Sequence, residues 1–443
     1  MGLTVLGLLL MVAEVSAQSR EPIHDFCRRF SHQTAVVDEK LYVDGGVIDW
    51  QSQTNPMTNF SNTFLGFHDL TSSPPGIGMP ELYANLSKNS SIPSVSGGQL
   101  WPDDVNKKFY LYGGEYFNIP PNTPNLLAYD ILNDNWDSVG MDKTIQSVSW
   151  GAGVGISPLG QAYVLGGYVN NATEPNWSGA PYATSSLVKY DMGLNAWTNS
   201  SGPDGPTGPG TAEGVMVYIP ASTGGMLVHF GGVEVNTNGT SSRPMSKIDI
   251  YDITSNLWYK QTAYGAAIPG DRRRFCADVA WSADRSSYNI YLYGGLGFGA
   301  NATGYDDLWI LSLPSFTWIP YYQSTPSSAR PKHSLSCNIV NSGQMLVIGG
   351  TYPLDNVNCD VPTQWGVHNS DISKVSGKVW NTYQTNITTY GVPPDVYNVI
   401  GGSLPSRLEH LLVQFLVQPA RQRPLELPIL PLLLSSQPAR LQE

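Results

Sequence analysis

Six Gly-Gly doublets punctuate this chain, each closing a short apolar run: Gly45-Gly46, Gly113-Gly114, Gly166-Gly167, Gly231-Gly232, Gly294-Gly295 and Gly349-Gly350. Five tryptophans follow five of them, and Trp136, Trp197, Trp258, Trp318 and Trp380 are spaced by 61, 61, 60 and 62 residues. A period that regular is one structural module copied along the chain. Ahead of each doublet stands a run such as Tyr110-Leu111-Tyr112, Tyr163-Val164-Leu165 or Leu346-Val347-Ile348. Aromatic and branched residues bounded by glycine read as buried strands. Another strand lies between doublet and tryptophan and ends in Tyr129-Asp130, Tyr190-Asp191 or Tyr251-Asp252, after which Asn-rich turns lead to the tryptophan strand. The module is therefore a meander of four antiparallel strands. A lone copy leaves two open edges and an unburied face, which radial stacking of copies removes.

The order apolar strand, Gly-Gly, Tyr-Asp, Trp resembles the kelch repeat, from about Phe26 to Gly402. The resemblance implies an all-β fold, a kelch-type β-propeller. The 385 residues from Gln18 to Gly402, at about 61 per copy, fit six blades of four antiparallel strands. The closing Tyr397-Asn398-Val399-Ile400-Gly401-Gly402 imitates one more strand and doublet, so seven blades is the alternative. The first copy departs from the pattern, with His68-Asp69 in the Tyr-Asp place and no matching tryptophan, and the ring is expected to close there between the two ends of the chain. The chain looks like secreted fungal kelch-repeat proteins of the galactose oxidase and kelch type. These often continue past a closing Ile-Gly-Gly into a Ser/Thr-rich linker and a transmembrane helix, a continuation missing here.

Residues 1–17 read as a signal peptide, with an apolar run from Leu3 to Val12 and small residues in Val15-Ser16-Ala17 before Gln18. Residues 18–402 hold the propeller. Residues 403–443, rich in Leu, Pro, Gln and Arg, contain no uninterrupted apolar run of about 18 residues and read as a low-complexity, disordered tail without a membrane span. A secreted or cell-surface glycoprotein is expected, with sequons at Asn59, Asn85, Asn89, Asn171, Asn176, Asn199, Asn238, Asn301 and Asn386 placed in loops between strands. Charged residues make up only 13% of the chain and the net charge is -11, which argues against nucleic acid and anionic lipid as partners. Four cysteines allow three pairings. Cys337 and Cys359, separated by 22 residues in the sixth repeat, are expected to staple the last blade, while Cys27 and Cys276 pair by elimination or stay free and buried.

In a propeller the first strand of every blade lines the central channel and the loops entering those strands form one face. Residues shortly before the doublets are therefore the candidates, and Arg28, Arg29, His32, Trp150, Glu213, Arg273, Arg330 and His333 form a polar, partly cationic set in an acidic chain. As a ligand site, the arginines offer forked donors to a carboxylate or a sugar and Trp150 a stacking platform. As scaffold, the same groups bond between blades. Arg29-Phe30 and Arg274-Phe275 look like one repeat position, which favours scaffold.

The copper-radical oxidases that share this fold need two His and two Tyr, with one Tyr-His pair adjacent. No Tyr-His dipeptide occurs here, and His229 sits inside an apolar run as a core residue would. His32 and His333 fall on neighbouring first strands but lack a third ligand at recognisable spacing, so no metal and no cofactor is expected. Glu213 and Asp278 lie near the first strands of blades 4 and 5 as a chance acid–base pair. The leading expectation is a secreted or cell-surface binding protein that recognises a glycan, a peptide or a protein through its loops. The alternative is a metal-free secreted enzyme of small-molecule metabolism with its site at the channel mouth, and a copper oxidase ranks below both.

Overall fold

Every doublet ends the second strand of a four-stranded antiparallel sheet. The computed structural model describes residues 20–51, 59–117, 121, 126–299, 302–325, 329–355, 357–374 and 379–401. The expected signal peptide, the tail, Gly402 and Asn301 lie outside these residues. Blade 1 consists of Gln33–Val37, Lys40–Asp44, Leu65–Asp69 and Glu81–Leu86. Blade 2 consists of Gln99–Asp103, Lys108–Tyr112, Leu127–Asp130 and Asn135–Ser138. Blade 3 follows with Ala152–Ile156, Gln161–Leu165, Ser186–Asp191 and Ala196–Ser201. Blade 4 holds Val215–Ile219, Met226–Phe230, Lys247–Asp252 and Leu257–Thr262. Blade 5 holds Cys276–Trp281, Tyr288–Tyr293, Asp307–Leu313 and Thr317–Gln323. Blade 6 holds Ser336–Val340, Gln344–Ile348, Val367–Asp371 and the short Trp380–Asn381. Strands pair in chain order within each sheet. The first strands neighbour one another from blade 1 through blade 6 and back to blade 1, so among the described residues these sheets close a cycle.

The repeat motif is the device that joins one blade to the next. Both glycines of each doublet are left-handed, and the second donates its N–H to a carbonyl just ahead of the next first strand. Gly46 reaches Val95 (2.8 Å), Gly114 Val148 (2.9 Å), Gly167 Thr211 (2.7 Å), Gly232 Arg272 (2.9 Å), Gly295 Lys332 (2.8 Å) and Gly350 Arg29 (2.8 Å). The Tyr of each Tyr-Asp faces its Trp across the outer pair of strands, as Tyr129 opposite Trp136, Tyr190 opposite Trp197 and Tyr251 opposite Trp258. The indole N–H then crosses to the preceding blade: Trp136 to the Ser87 carbonyl (2.9 Å), Trp258 to Ser201 (3.0 Å) and Trp318 to Met245 (2.9 Å). Blade 1, which has no such Trp, fills the place with Phe67 stacked on Tyr83 at 5.0 Å.

Two expectations are corrected here. The segment ending in Gly401 is not a further strand: Pro394–Ile400 is a helix, started by two prolines whose φ suits a first turn and by Asp395 at its positive end. Its Val396 is buried with Tyr291, Ile310 and Tyr321 of blade 5. The cysteines pair as Cys27–Cys359 and Cys276–Cys337, not as Cys337–Cys359, and none is free. Cys337 lies on the first strand of blade 6, beside the Cys276 strand of blade 5. Cys359 lies after the second strand of blade 6, where the chain meets the strand Phe26–Phe30. Blade 6 is thus tied covalently to both of its neighbours.

Candidate functional site

Two residues before each first strand, the chain turns from the loop face into the ring, and the six turning residues hold one another. Ser31, Gly97, Trp150, Glu213, Arg274 and Ser334 all have φ between +53 and +65°. Each donates its backbone N–H to the carbonyl of the one on the adjacent blade: Gly97 to Ser31, Trp150 to Gly97, Glu213 to Trp150, Arg274 to Glu213, Ser334 to Arg274 and Ser31 to Ser334, at 2.7–3.0 Å. A left-handed backbone costs a non-glycine residue about 1–2 kcal/mol. Here the turn aims every N–H along the circuit, so none of these six backbone donors is left unpaired.

Three of these positions carry large side chains that lie on one another. The Trp150 indole covers Gly97, where any side chain would collide with the ring. The Arg274 guanidinium sits 4.1 Å from the Trp150 ring centroid, and its Nε donates to Glu213 Oε1 at 2.7 Å. The other Glu213 oxygen accepts from Arg273 Nη1 at 3.1 Å, and Arg273 in turn lies over Phe298. The Trp150 indole N–H and the Ser149 hydroxyl both point to Glu115, the first residue after its doublet. A desolvated carboxylate between two guanidiniums is one rigid unit that keeps a single net positive charge.

The structure brings Trp150, Glu213 and Arg273 together, with Arg274 as the partner that joins them. Arg28, Arg29 and Arg330 are not part of the group. Arg28 is buried against Asp49 (2.6 Å) and the Asp355 carbonyl (2.9 Å). Arg29 is buried over Phe26, its Nε and Nη1 without partners, and burial pushes it down to about 10. Its counterparts in the repeat are Arg272 and Lys332, since all three carbonyls accept a doublet N–H; Arg274 corresponds to Ser31. The sequence match of Arg29 with Arg274 was off by two residues, because Phe follows both. Arg272 forms a two-pronged pair with Asp307, and Lys332 a pair with Asp360. Arg330 stays on the surface, with its backbone N–H on Asp306. His32 contacts Ser336 Oγ (2.9 Å), and His333 Ser334 Oγ (2.9 Å), so the two imidazoles serve different partners. No group of three His, Cys, Asp or Glu side chains suited to a metal ion occurs among the described residues.

Two features escaped the sequence. Glu115 could have been found from its place directly after a doublet. The Lys332, Tyr352, Asp360 and His368 cluster could not, since its members come from two loops and a strand of blade 6 with no common spacing. In it Asp360 Oδ1 accepts from Lys332 Nζ (2.7 Å), His368 Nε2 (2.8 Å) and the Tyr352 hydroxyl (3.2 Å). Burial alone would raise the Asp360 carboxyl, but Lys332 and His368 hold it well below the usual range. The Pro-rich loop 202–210, long enough to suit recognition, is anchored through Asp204 to Lys247 and Lys260 of blade 4.

Buried imidazoles make the fold sensitive to acid. Burial pushes His32 down to about 3, helped by Arg29 and His68, and pushes His68 to about 4 against the pull of the Pro80 carbonyl. His333 falls to about 4 through burial and the nearby Arg274 and Arg273. The unfolded chain takes up protons near 6.5 while the native state refuses them, so each imidazole withdraws up to about 1.4 kcal/mol per pH unit as pH falls from 6.5 towards 4. Asp278, pushed up to about 6 by burial, works in the opposite sense over part of that window. Urea melts should give a stability lower by about 2 kcal/mol or more at pH 5 than at pH 7. An equal or higher midpoint at pH 5 would contradict the neutral buried imidazoles.

Comparison with known proteins gives the same picture. Residues 100–350 match the family described as KLHDC2/KLHL20/DRC7 Kelch-repeats domain. A Kelch repeat-containing protein of Arthroderma benhamiae is 31% identical over 475 aligned positions, covering 90% of this chain and 68% of that protein. The solved structure of YjhT superposes with a TM-score of 0.55 at 14% identity, over 82% of this chain and 99% of that one, a likeness of fold alone.

Proposed function

This chain belongs to the kelch-repeat family, and on that premise we propose that it is an exported, glycosylated recognition protein that holds a peptide, protein or glycan partner on its loop face. Kelch-repeat proteins generally serve as protein-interaction scaffolds. The observation that carries the reading is the stack of Trp150, Arg274, Glu213 and Arg273 at the channel mouth. Its charges answer one another, which stiffens a platform for recognition rather than leaving an acid and a base free for catalysis. Arg273, whose side chain is one-third exposed, and the exposed Phe298 beside it form the rim a partner would meet first.

Export is supported by two features. All four cysteines are in disulfides, as befits an oxidising compartment. The sequon asparagines Asn59, Asn85, Asn89, Asn171, Asn176, Asn199, Asn238 and Asn386 are all exposed, although Asn85 and Asn199 lie on the outermost strands of blades 1 and 3 and not in loops as expected. No helix of the described residues is long and apolar enough to cross a membrane.

A glycan array and a displayed peptide library probed with the purified protein test this reading. Arg273→Ala should weaken a selected ligand about tenfold or more, with the melting temperature little changed because Arg274 still holds Glu213. Unchanged affinity with lowered stability would make Arg273 part of the scaffold and remove the mouth as the binding site.

A further inference from the structure

Each blade ends in an outer strand with one unpaired edge, and such edges invite pairing with another chain unless something blocks them. Five of the six outer strands carry a visible block. In blade 1 a bulge breaks the register between Leu65 opposite Leu86 and Phe67 opposite Tyr83. Blade 2 ends in the four residues Asn135–Ser138, with Asp137 among them, and blade 6 in the two residues Trp380–Asn381. Blade 4 places Lys260 on its outer strand, paired with Asp204. Blade 5 has Pro320 there, and the helix Pro394–Ile400 packs Val396 against Tyr321 of the same strand.

The outer strand of blade 3, Ala196–Ser201, has none of these devices. It keeps an unbroken register with Ser186–Asp191, contains no charged residue and no proline, and is the last strand of its sheet. Five of its six residues are exposed, the partly covered one being Trp197. The carbonyl of its last residue, Ser201, accepts the Trp258 indole N–H of blade 4. What the strand does carry is the sequon Asn199-Ser200-Ser201, with Asn199 exposed near its middle. A glycan at that position is bulky and hydrophilic. We infer that the Asn199 glycan is the guard of this edge, and that without it the strand pairs with the same strand of a second copy of this chain. The inference rests on the glycoprotein reading and adds a role to one of its sequons. A second copy is the fitting occupant because a strand turned about a two-fold axis meets itself antiparallel, and Ala196–Ser201 does so without opposing like charges. The same move in blade 2 or blade 4 would crowd Asp137 or Lys260 of the two copies together.

Sedimentation of the secreted protein and its variants tests the inference, with glycopeptide mapping of Asn199 alongside. The glycosylated protein should stay monomeric. Asn199→Gln, which removes the sequon at an exposed position, should show a mass that rises with concentration towards twice the monomer's, with an unchanged melting temperature. Adding Thr198→Lys and Ser200→Lys to that variant should restore the monomer, because antiparallel pairing then brings lysines of the two copies together. Asn238→Gln, which removes a sequon from the hairpin tip between Val233–Asn236 and Gly239–Ser242, should leave the protein monomeric. An occupied Asn199 in the parent together with a monomeric Asn199→Gln form overturns the edge inference alone and leaves the glycoprotein reading intact. A bare Asn199 on the secreted protein overturns the guard itself and shows the glycoprotein reading to fail at that residue. Association that persists with the two lysines, or that Asn238→Gln produces equally, puts the contact elsewhere and overturns the assignment.

Discussion

Replacing Cys27 and Cys359 by serine should lower the unfolding free energy by about 5 kcal/mol, as measured by urea denaturation under oxidising conditions. The crosslink joins residues 332 apart, and a loop of that length takes most of the entropy a single bridge can remove from the unfolded chain. Domains of this kind have only about 5–15 kcal/mol to lose. The fold itself explains why the bridge matters. Each four-stranded sheet takes its strands from one continuous stretch, so no strand is shared between blade 1 and blade 6. The seam is also held by hydrogen bonds, among them Ser31 N–H on the Ser334 carbonyl, Gly350 on Arg29, Asp360 on Cys27, and the Trp365 indole on Ile23, and by an apolar cluster in which Leu41 and Val43 of blade 1 pack with Leu346 and Ile348 of blade 6. The pair Cys276→Ser and Cys337→Ser, which closes a separation of 61, should cost less, about 4 kcal/mol. A loss below about 1 kcal/mol for the first pair would mean that the non-covalent contacts at the seam suffice to close the ring.

Gly166→Ala should be the most damaging single-methyl addition among the doublets, with a loss of about 3 kcal/mol or more. The residue has φ of +68°, and an added Cβ would overlap the Thr211 carbonyl oxygen of blade 4. That oxygen is the one that accepts the Gly167 N–H, so it cannot retreat without breaking the blade contact. Gly160→Ala is the matched control. Its φ is +59° but nothing lies within 4 Å of the new methyl, so it should cost only the left-handed strain, about 1 kcal/mol. Thermal melts of the two variants decide the matter, and equal losses would show that backbone conformation, not blade contact, is why the doublets are glycine.

The doublets, the Tyr-Asp pairs and the tryptophans were legible because each acts within one module or on the next, and their spacing is fixed by strand length. Trp150, Glu213 and Arg273 were legible for the same reason, since repeat position places them at the mouth whatever their neighbours are. The register of Arg29 was not. A loop before the first strand admits a shift of two residues that no periodic signal resists, and only the hydrogen bond from Gly350 aligns Arg29 with Arg272 and Lys332. The helix at Pro394–Ile400 was missed because its Tyr-Asn-Val-Ile run has strand-like composition, while burial of Val396 against blade 5 is a contact made to an earlier blade that no local pattern shows.

The sequence by itself determined the module and its repetition, and with them the repeat position of Trp150, Glu213 and Arg273. The tertiary structure decided the cysteine partners, the ion pairs that Arg28, Arg273 and Arg274 make, and the bond that the Ile339 N–H of blade 6 donates to Asp278 of blade 5. The physical reason is that ring closure sets residues hundreds of positions apart side by side and carries close neighbours such as Cys337 and Cys359 to different seams. Local periodicity specifies how a blade is built, and only the closed ring specifies what each blade touches.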